Sequence, residues 1–170
     1  MTISDIPTPA LVVDVPTLQR NIERMAGFFA DGPCRLRPHF KAHKTPEIAR
    51  RQLAAGSVTG LTCATVFEAE IAAPFCDDLL IANELIGVGK CERAAALARG
   101  RTVTVAVDST TGVDLIADAA RRAGVTVGVL VDLDVGQNRC GIAPGQEALR
   151  LAQYVHAVGP HLPLRGVMGY

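Results

Sequence analysis

The sequence predicts an α/β protein built on parallel strands, and three observations predict it. Short apolar runs alternate with segments of helical periodicity from end to end, and such alternation belongs to folds that join parallel strands through helices. The candidate strand ends Lys41, Ala64, Asn83, Asp108 and Asp132 recur at separations of 19–25 residues, an even spacing that suits a (β/α) barrel better than an open doubly wound sheet. Hydrophobic residues make up 49% of the chain but aromatic residues only 4%, so Ala, Val, Leu and Gly must build an interior of thin, closely packed elements.

The apolar run Ala10 to Val13 gives way at Asp14 to a helix with Pro16 in its first turn and Leu18, Ile22, Met25 and Phe29 on one face. Arg35 to Lys41 reads as the first barrel strand. Thr45 can cap a helix beginning at Pro46, and Gly56 closes it. Leu61 to Ala64 is a strand, and the helix after it runs through Glu68 and Ile71 and stops at Pro74. Leu79 to Ala82 and Val103 to Val107 are strands separated by a helix from Lys90 to Arg99. Val113, Ile116, Ala117 and Ala120 mark a helix that lasts until Gly124. Val125 to Val131 is almost wholly apolar, as expected of a parallel strand covered on both faces. A helix bearing Ala148, Leu149, Ala152 and Val155 ends at Gly159-Pro160, and Leu164 to Gly169 is the last strand.

Counted from the strand ending at Lys41, this gives six strands, whereas a TIM-type (β/α)8 barrel has eight in about 250 residues. The expected architecture is therefore such a barrel, present as roughly its first six strands. Residues 1–170 would be its N-terminal part, with further strands after Tyr170, since an apolar strand there would otherwise leave an unpaired edge. A complete six-stranded, open doubly wound sheet is the alternative.

Seventeen Lys+Arg offset seventeen Asp+Glu, so no positive field exists to hold nucleic acid or an anionic membrane surface. No apolar stretch approaches the roughly 18 residues needed to span a bilayer. Cys34, Cys63, Cys76, Cys91 and Cys140 are odd in number and form no CxxC pair, and the N-terminus carries no basic segment followed by an apolar run. Both features predict a cytoplasmic protein with reduced thiols.

Parallel α/β proteins bind ligands at the carboxyl ends of their strands. The first such end, Arg37-Pro-His39-Phe-Lys41-Ala-His43-Lys44, crowds several cations. A lysine among cations and partly withdrawn from water becomes a usable amine nucleophile, as a Schiff-base lysine must be, although a solvated basic loop has the same composition. Strand parity favours Lys41 over Lys44 as the inward residue. Asp134-Val-Gly136 reads as a turn, Gly87-Val-Gly89-Lys90 as a helix-start turn, and Cys63 and Cys140 as small core thiols. Interaction with a helix dipole suffices to explain Glu68. His39 and His43 are better explained as polar pocket walls than as a zinc pair.

With these segments, Cys63-Ala-Thr65, Leu80-Ile-Ala-Asn83, Val107-Asp-Ser109, Asp134-Val-Gly-Gln-Asn-Arg139-Cys-Gly141 and Gly166-Val-Met-Gly-Tyr170 resemble the fold-type III pyridoxal-phosphate enzymes. The resemblance is strongest to their D-threonine aldolase and D-serine dehydratase branch, whose barrel is similar to the alanine racemase N-terminal domain. It implies that Lys41 carries the cofactor covalently and that Arg139 bonds the cofactor's phenolic oxygen. It also implies that His39, His43, Thr65, Asn83 and Tyr170 line the cofactor pocket, Tyr170 against the pyridine ring. The implied activity is a lyase acting on a small D-configured β-hydroxy amino acid, D-threonine to glycine and acetaldehyde in the leading case. A D-serine or 3-hydroxyaspartate dehydratase is one alternative, and a non-catalytic pyridoxal-phosphate carrier another. The resemblance further implies a homodimer, a C-terminal β domain and a divalent metal whose ligands, like most of the phosphate-binding loops, would follow Tyr170.

Overall fold

Five strands pair in parallel in the computed structural model, which describes residues 2–170. They are β1 (Leu61–Cys63), β2 (Asp78–Glu84), β3 (Thr102–Val107), β4 (Gly128–Leu133) and β5 (Leu164–Gly169), and each pairs with the next in chain order. Helices α1 (Val15–Phe28) and α2 (Pro46–Ala54) precede the sheet. Helices α3 (Val66–Ala72), α4 (Val88–Leu97), α5 (Thr110–Ala123) and α6 (Gln146–Val158) make the crossovers. Every crossover advances by one strand and none turns back. That is the order of a barrel wall, whereas a doubly wound sheet reverses at a switch point.

The first expected strand is the main correction to the fold. Residues 36–39 lie beside β1 through the isolated parallel bridges Leu36–Val58 and His39–Thr62, without a continuous ladder. Pro38 has no N–H to give to a ladder, and beyond it the chain coils into a single 3-10 turn, Phe40–Ala42, that carries Lys41. The Ala10–Val13 run joins no strand among the described residues, and Leu11, Val12 and Val13 are exposed. The strand expected from Val125 begins at Gly128, because the Val125 N–H is still closing α5 on the Ala120 carbonyl.

The two faces of the sheet differ in chemistry. On one, Leu61, Cys63, Leu79, Ile81, Val103, Val105, Val107, Val129 and Val131 are all no more than 3% exposed. They pack on the alanine-rich faces of the helices, including Ala69, Ala72, Ala94, Ala95, Ala117 and Ala120. Burying one Val, Leu or Ile is worth about 1.5–3 kcal/mol, so this layer dominates the stability. The alternate residues Thr62, Leu80, Ala82, Glu84, Thr104, Ala106, Asp132 and Met168 form the other face, which is small or polar at most positions.

At the amino ends of the strands Arg37 grips Asp78 with two bonds, Nη1 to Oδ1 at 3.0 Å and Nη2 to Oδ2 at 2.8 Å. Gly60 sits under this pair, where a Cβ would run into the Asp78 carbonyl and the Arg37 guanidinium. Gly60→Ala is expected to lower stability by about 1–3 kcal/mol, the usual range for overpacking, measured as a shift in denaturant midpoint. An unchanged midpoint would show that this end of the sheet can give way.

Candidate functional site

At the opposite end, the carboxyl ends of the strands and the loops after them enclose a cavity of about 250 Å³. Lys41, Glu84, Asp132, Arg139, Met168 and Tyr170 are among its walls. Its position follows from the fold, since the small and polar face opens there and the Val-rich face is sealed by helices.

Lys41 reaches the cavity from its turn rather than from a strand. The His39 ring accepts the Lys41 N–H at its Nδ1, 3.3 Å away, which leaves the ring proton on Nε2. Phe40, 1% exposed, anchors the turn in the core. The Lys41 ammonium lies 5.9 Å from the centre of the Tyr170 ring. Burial, helped by the Lys41 charge, holds the His39 imidazole below its ordinary range, with Glu68 opposing. Lys44 points elsewhere: its φ is 51°, its side chain is 71% exposed, and its Nζ lies 3.9 Å from Glu68 Oε1.

Three residues expected in the pocket wall stand outside this cavity. The His43 ring is 3.1 Å from Gln52 Oε1 through Nε2 and accepts the Thr45 N–H at Nδ1. Thr65 caps α3, its hydroxyl accepting the Glu68 N–H at 3.1 Å. The Asn83 amide donates to the Ala64 carbonyl at 3.0 Å. Thr65 and Asn83 face a neighbouring hollow of about 160 Å³ that shares Glu84 with the main cavity. Glu68 does more than meet a helix dipole: it accepts the Ala64 N–H at 2.7 Å and, with Thr65, pins the end of β1 to the start of α3. The Thr-x-x-Glu spacing of a capping box signals that role in the sequence.

Arg139 stands on a tightly built loop. Asp134 Oδ1 accepts the N–H groups of Gly136 and Asn138, both at 3.0 Å, and these bonds hold its carboxyl below the usual range. Ile142 then bonds back to the edge of β4, giving its N–H to Asp132 and taking that of Asp134. Gly141 makes the return, with φ 100° and its N–H donated to Asp108 Oδ2 at 3.2 Å. A Cβ there would strike the backbone of Leu133 and Asp134.

The sequence reading did not assign the acidic floor of the cavity. Asp132, 7% exposed, lies on the inner face of β4. Its carboxyl is pushed up to about 6, by burial first and then by the Glu84 and Asp108 carboxyls, with Arg139 opposing. Glu84 Oε1 is buried without a partner. Cys140 also lines the cavity rather than the core, and Glu84 raises its thiol. Cys63 is a core thiol, pushed up to about 12 by burial. The available signal for Asp132 was a carboxylate between Val131 and Leu133 in an otherwise apolar strand.

A one-way parallel wall with its cavity at the carboxyl ends, a lysine turn before the first strand and an arginine loop after the fourth define an α/β domain of the barrel class. The chain belongs to the alanine racemase N-terminal domain family, whose pattern matches residues 13–170. It is 37% identical over 166 residues to a D-threonine aldolase of an Arthrobacter species, covering 97% of this chain and 43% of that protein. It is 34% identical over 169 residues to a 3-hydroxy-D-aspartate aldolase of Paracoccus denitrificans, covering 98% of this chain and 43% of the relative. The crystal structure of D-threonine aldolase from Filomicrobium marinum superposes with a TM-score of 0.93 at 39% identity, over 97% of this chain and 44% of that one. The chain thus spans less than half the length of these relatives.

Asp132 holds its proton more tightly folded than unfolded, so the native state carries the extra proton between the ordinary value of 3.8 and about 6. Stability therefore falls as pH rises through that window and stays lower above it. Asp132→Asn should remove this dependence and raise the denaturant midpoint of the full-length protein above the window more than below it. An equal effect on both sides would show that the carboxyl titrates normally.

Proposed function

We propose that the full-length protein is a pyridoxal-phosphate-dependent lyase that cleaves small D-configured β-hydroxy amino acids, D-threonine to glycine and acetaldehyde in the leading case. The observation that carries this reading is the convergence of Lys41, Arg139 and Tyr170 on one cavity, in a chain 37% identical to a D-threonine aldolase. Pyridoxal phosphate suits the walls: an amine for its aldehyde, an aromatic ring for its pyridine face and a guanidinium for its phenolic oxygen. When bound, it supplies an electron sink for the pair left as Cα–Cβ breaks.

The protein's own residues divide the remaining work. Lys41 holds the cofactor through its amine, and the buried Phe40 turn fixes where that amine stands. Arg139 would donate to the phenolic oxygen from a loop restrained by Asp134 and by the Gly141–Asp108 bond. Tyr170 would face the ring, and His39, which accepts the Lys41 N–H at Nδ1, forms a polar wall beside Lys41. A divalent metal assisting deprotonation of the substrate hydroxyl belongs to the same proposal, with ligands after residue 170. So do a cytoplasmic location and a homodimer.

Borohydride reduction of the loaded protein, followed by peptide mapping, is expected to fix the cofactor on Lys41. Lys41→Ala should abolish the visible cofactor band and the activity, whereas Lys44→Ala keeps the band. Label on Lys44 would sink the assignment. Arg139→Ala should lower turnover about 10²-fold or more, as expected when a charged donor is lost at a reacting centre. Unchanged kinetics would reduce Arg139 to a loop-shaping residue. Product analysis with D-threonine and 3-hydroxyaspartate separates the lyase types: glycine with an aldehyde supports the aldolase, ammonia with a keto acid a dehydratase, and no turnover a carrier.

A further inference from the structure

Two acids in the cavity wall have no part in the proposed handling of the cofactor. Glu84 ends β2 and Asp132 lies on the inner face of β4, and both line the cavity that Lys41 and Arg139 also line. Other acids near this end of the sheet are occupied within the protein. Glu68 accepts the Ala64 N–H and stands 3.9 Å from the Lys44 ammonium, and Asp108 accepts the Gly141 N–H. Glu84 Oε1, by contrast, is buried without a partner, and among the described residues no ion pair reaches Glu84 or Asp132. Asp132 is only 7% exposed, so water compensates its charge poorly as well.

The cations of the same wall are Lys41 and Arg139, beside a His39 imidazole held below its ordinary range. In the proposed reaction the Lys41 amine is committed to the cofactor aldehyde and the Arg139 guanidinium to the phenolic oxygen. The described wall then offers a substrate two acids and no uncommitted cation. Salt screens exposed charges only beyond about 8 Å, and buried charges less. In a cavity of about 250 Å³ every part of a bound amino acid lies within reach of these acids, whichever way it is turned.

D-Threonine and 3-hydroxyaspartate differ in one substituent: the carbon bearing the hydroxyl carries a methyl in the first and a carboxylate in the second. A methyl is indifferent to an anionic wall. A carboxylate there meets both repulsion and desolvation. We propose that Glu84 and Asp132 are specificity-determining residues that select an uncharged substituent on the hydroxyl-bearing carbon and reject a carboxylate. The selection rests on the lyase reading and narrows it, making uncharged D-β-hydroxy amino acids the substrate class and 3-hydroxyaspartate a poor member.

The test compares D-threonine with D-configured 3-hydroxyaspartate as substrates of the full-length loaded enzyme, at about pH 8, where Asp132, raised to about 6, is ionised. The kcat/KM values are expected to favour D-threonine by about tenfold or more, the scale of one like charge at close quarters. Glu84→Gln and Asp132→Asn should each lower that ratio several-fold by improving the use of 3-hydroxyaspartate, whereas Glu84→Asp, which keeps the charge, should preserve it. Because both substrates are measured on one preparation, a loss of folded protein leaves the ratio unmoved. Equal use of the two substrates by the unaltered enzyme would overturn the proposal, and so would a ratio that neither Glu84→Gln nor Asp132→Asn moves. Calorimetric binding of D-2-aminobutyrate and D-aspartate, which lack the hydroxyl and are not cleaved, makes the same comparison without catalysis. D-Aspartate is expected to bind about tenfold or more weakly, and equal affinities would overturn the charge selection while leaving the lyase reading intact. Failure of borohydride labelling at Lys41 would instead count against the cofactor reading, whereas the binding ratio decides the selection by itself.

Discussion

The alternation of side chains along the parallel ladder is the constraint on which both core and cavity depend. In β3 and β4 the residues Val103, Val105, Val107, Val129 and Val131 are buried under helices, while Thr104, Ala106 and Asp132 face the other way. A slip of one residue would exchange these sets, placing a carboxylate beneath the helices and valines in the cavity. The apolar energy that stabilises the sheet thus also fixes which polar groups meet at its carboxyl end. Two departures from regular pairing refine that outcome. Extra residues between Ile81 and Glu84 set Glu84 opposite Ala106, and a shift between Val129 and Leu130 sets Met168 opposite Asp132. Both irregularities lie in strands that carry cavity residues, where bulges re-aim side chains.

Elements whose periodicity reports burial could be read from the sequence almost to the residue. Leu164–Gly169 is the strand expected, and α5 ends at Gly124, because apolar spacing and a left-handed closing residue each reflect one local cause. The segment around Lys41 was harder, because its geometry depends on Pro38 interrupting a ladder, on the His39 ring receiving a backbone N–H and on the burial of Phe40. Of these only the proline is visible without coordinates. The Arg139 loop was half legible: Asp134-Val-Gly136 announces a turn, but the return of Ile142 to β4 needs Gly141 against a backbone that sequence cannot place.

The same reasoning explains why His43, Thr65 and Asn83 fall outside the main cavity. A residue near a strand end can serve the backbone as readily as a ligand, and each of the three has a local partner within hydrogen-bonding distance: Gln52, the start of α3 and the Ala64 carbonyl. Spacing cannot distinguish a polar side chain that caps from one that faces a ligand. Asp132 presents the opposite case, since nothing nearby in the chain competes for it. The groups that shift its carboxyl, Glu84, Asp108 and Arg139, all stand on other elements.

A buried carboxyl is a costly floor for a cavity. Apolar residues of similar size would pack there without desolvating an acid, and replacing buried charges in that way is often neutral or stabilising. Asp132 instead occupies a strand whose other inner and outer positions are apolar or glycine, and it is the one buried acid among the described strand residues. Local rules broken at one point of an otherwise consistent strand mark function more often than accident. The position of the break agrees, since it lies at the carboxyl end beside the Arg139 loop and not at the amino end, where Arg37 fully satisfies Asp78. One end of the sheet therefore spends its charged groups on holding strands together, and the other leaves them partly unsatisfied around a cavity.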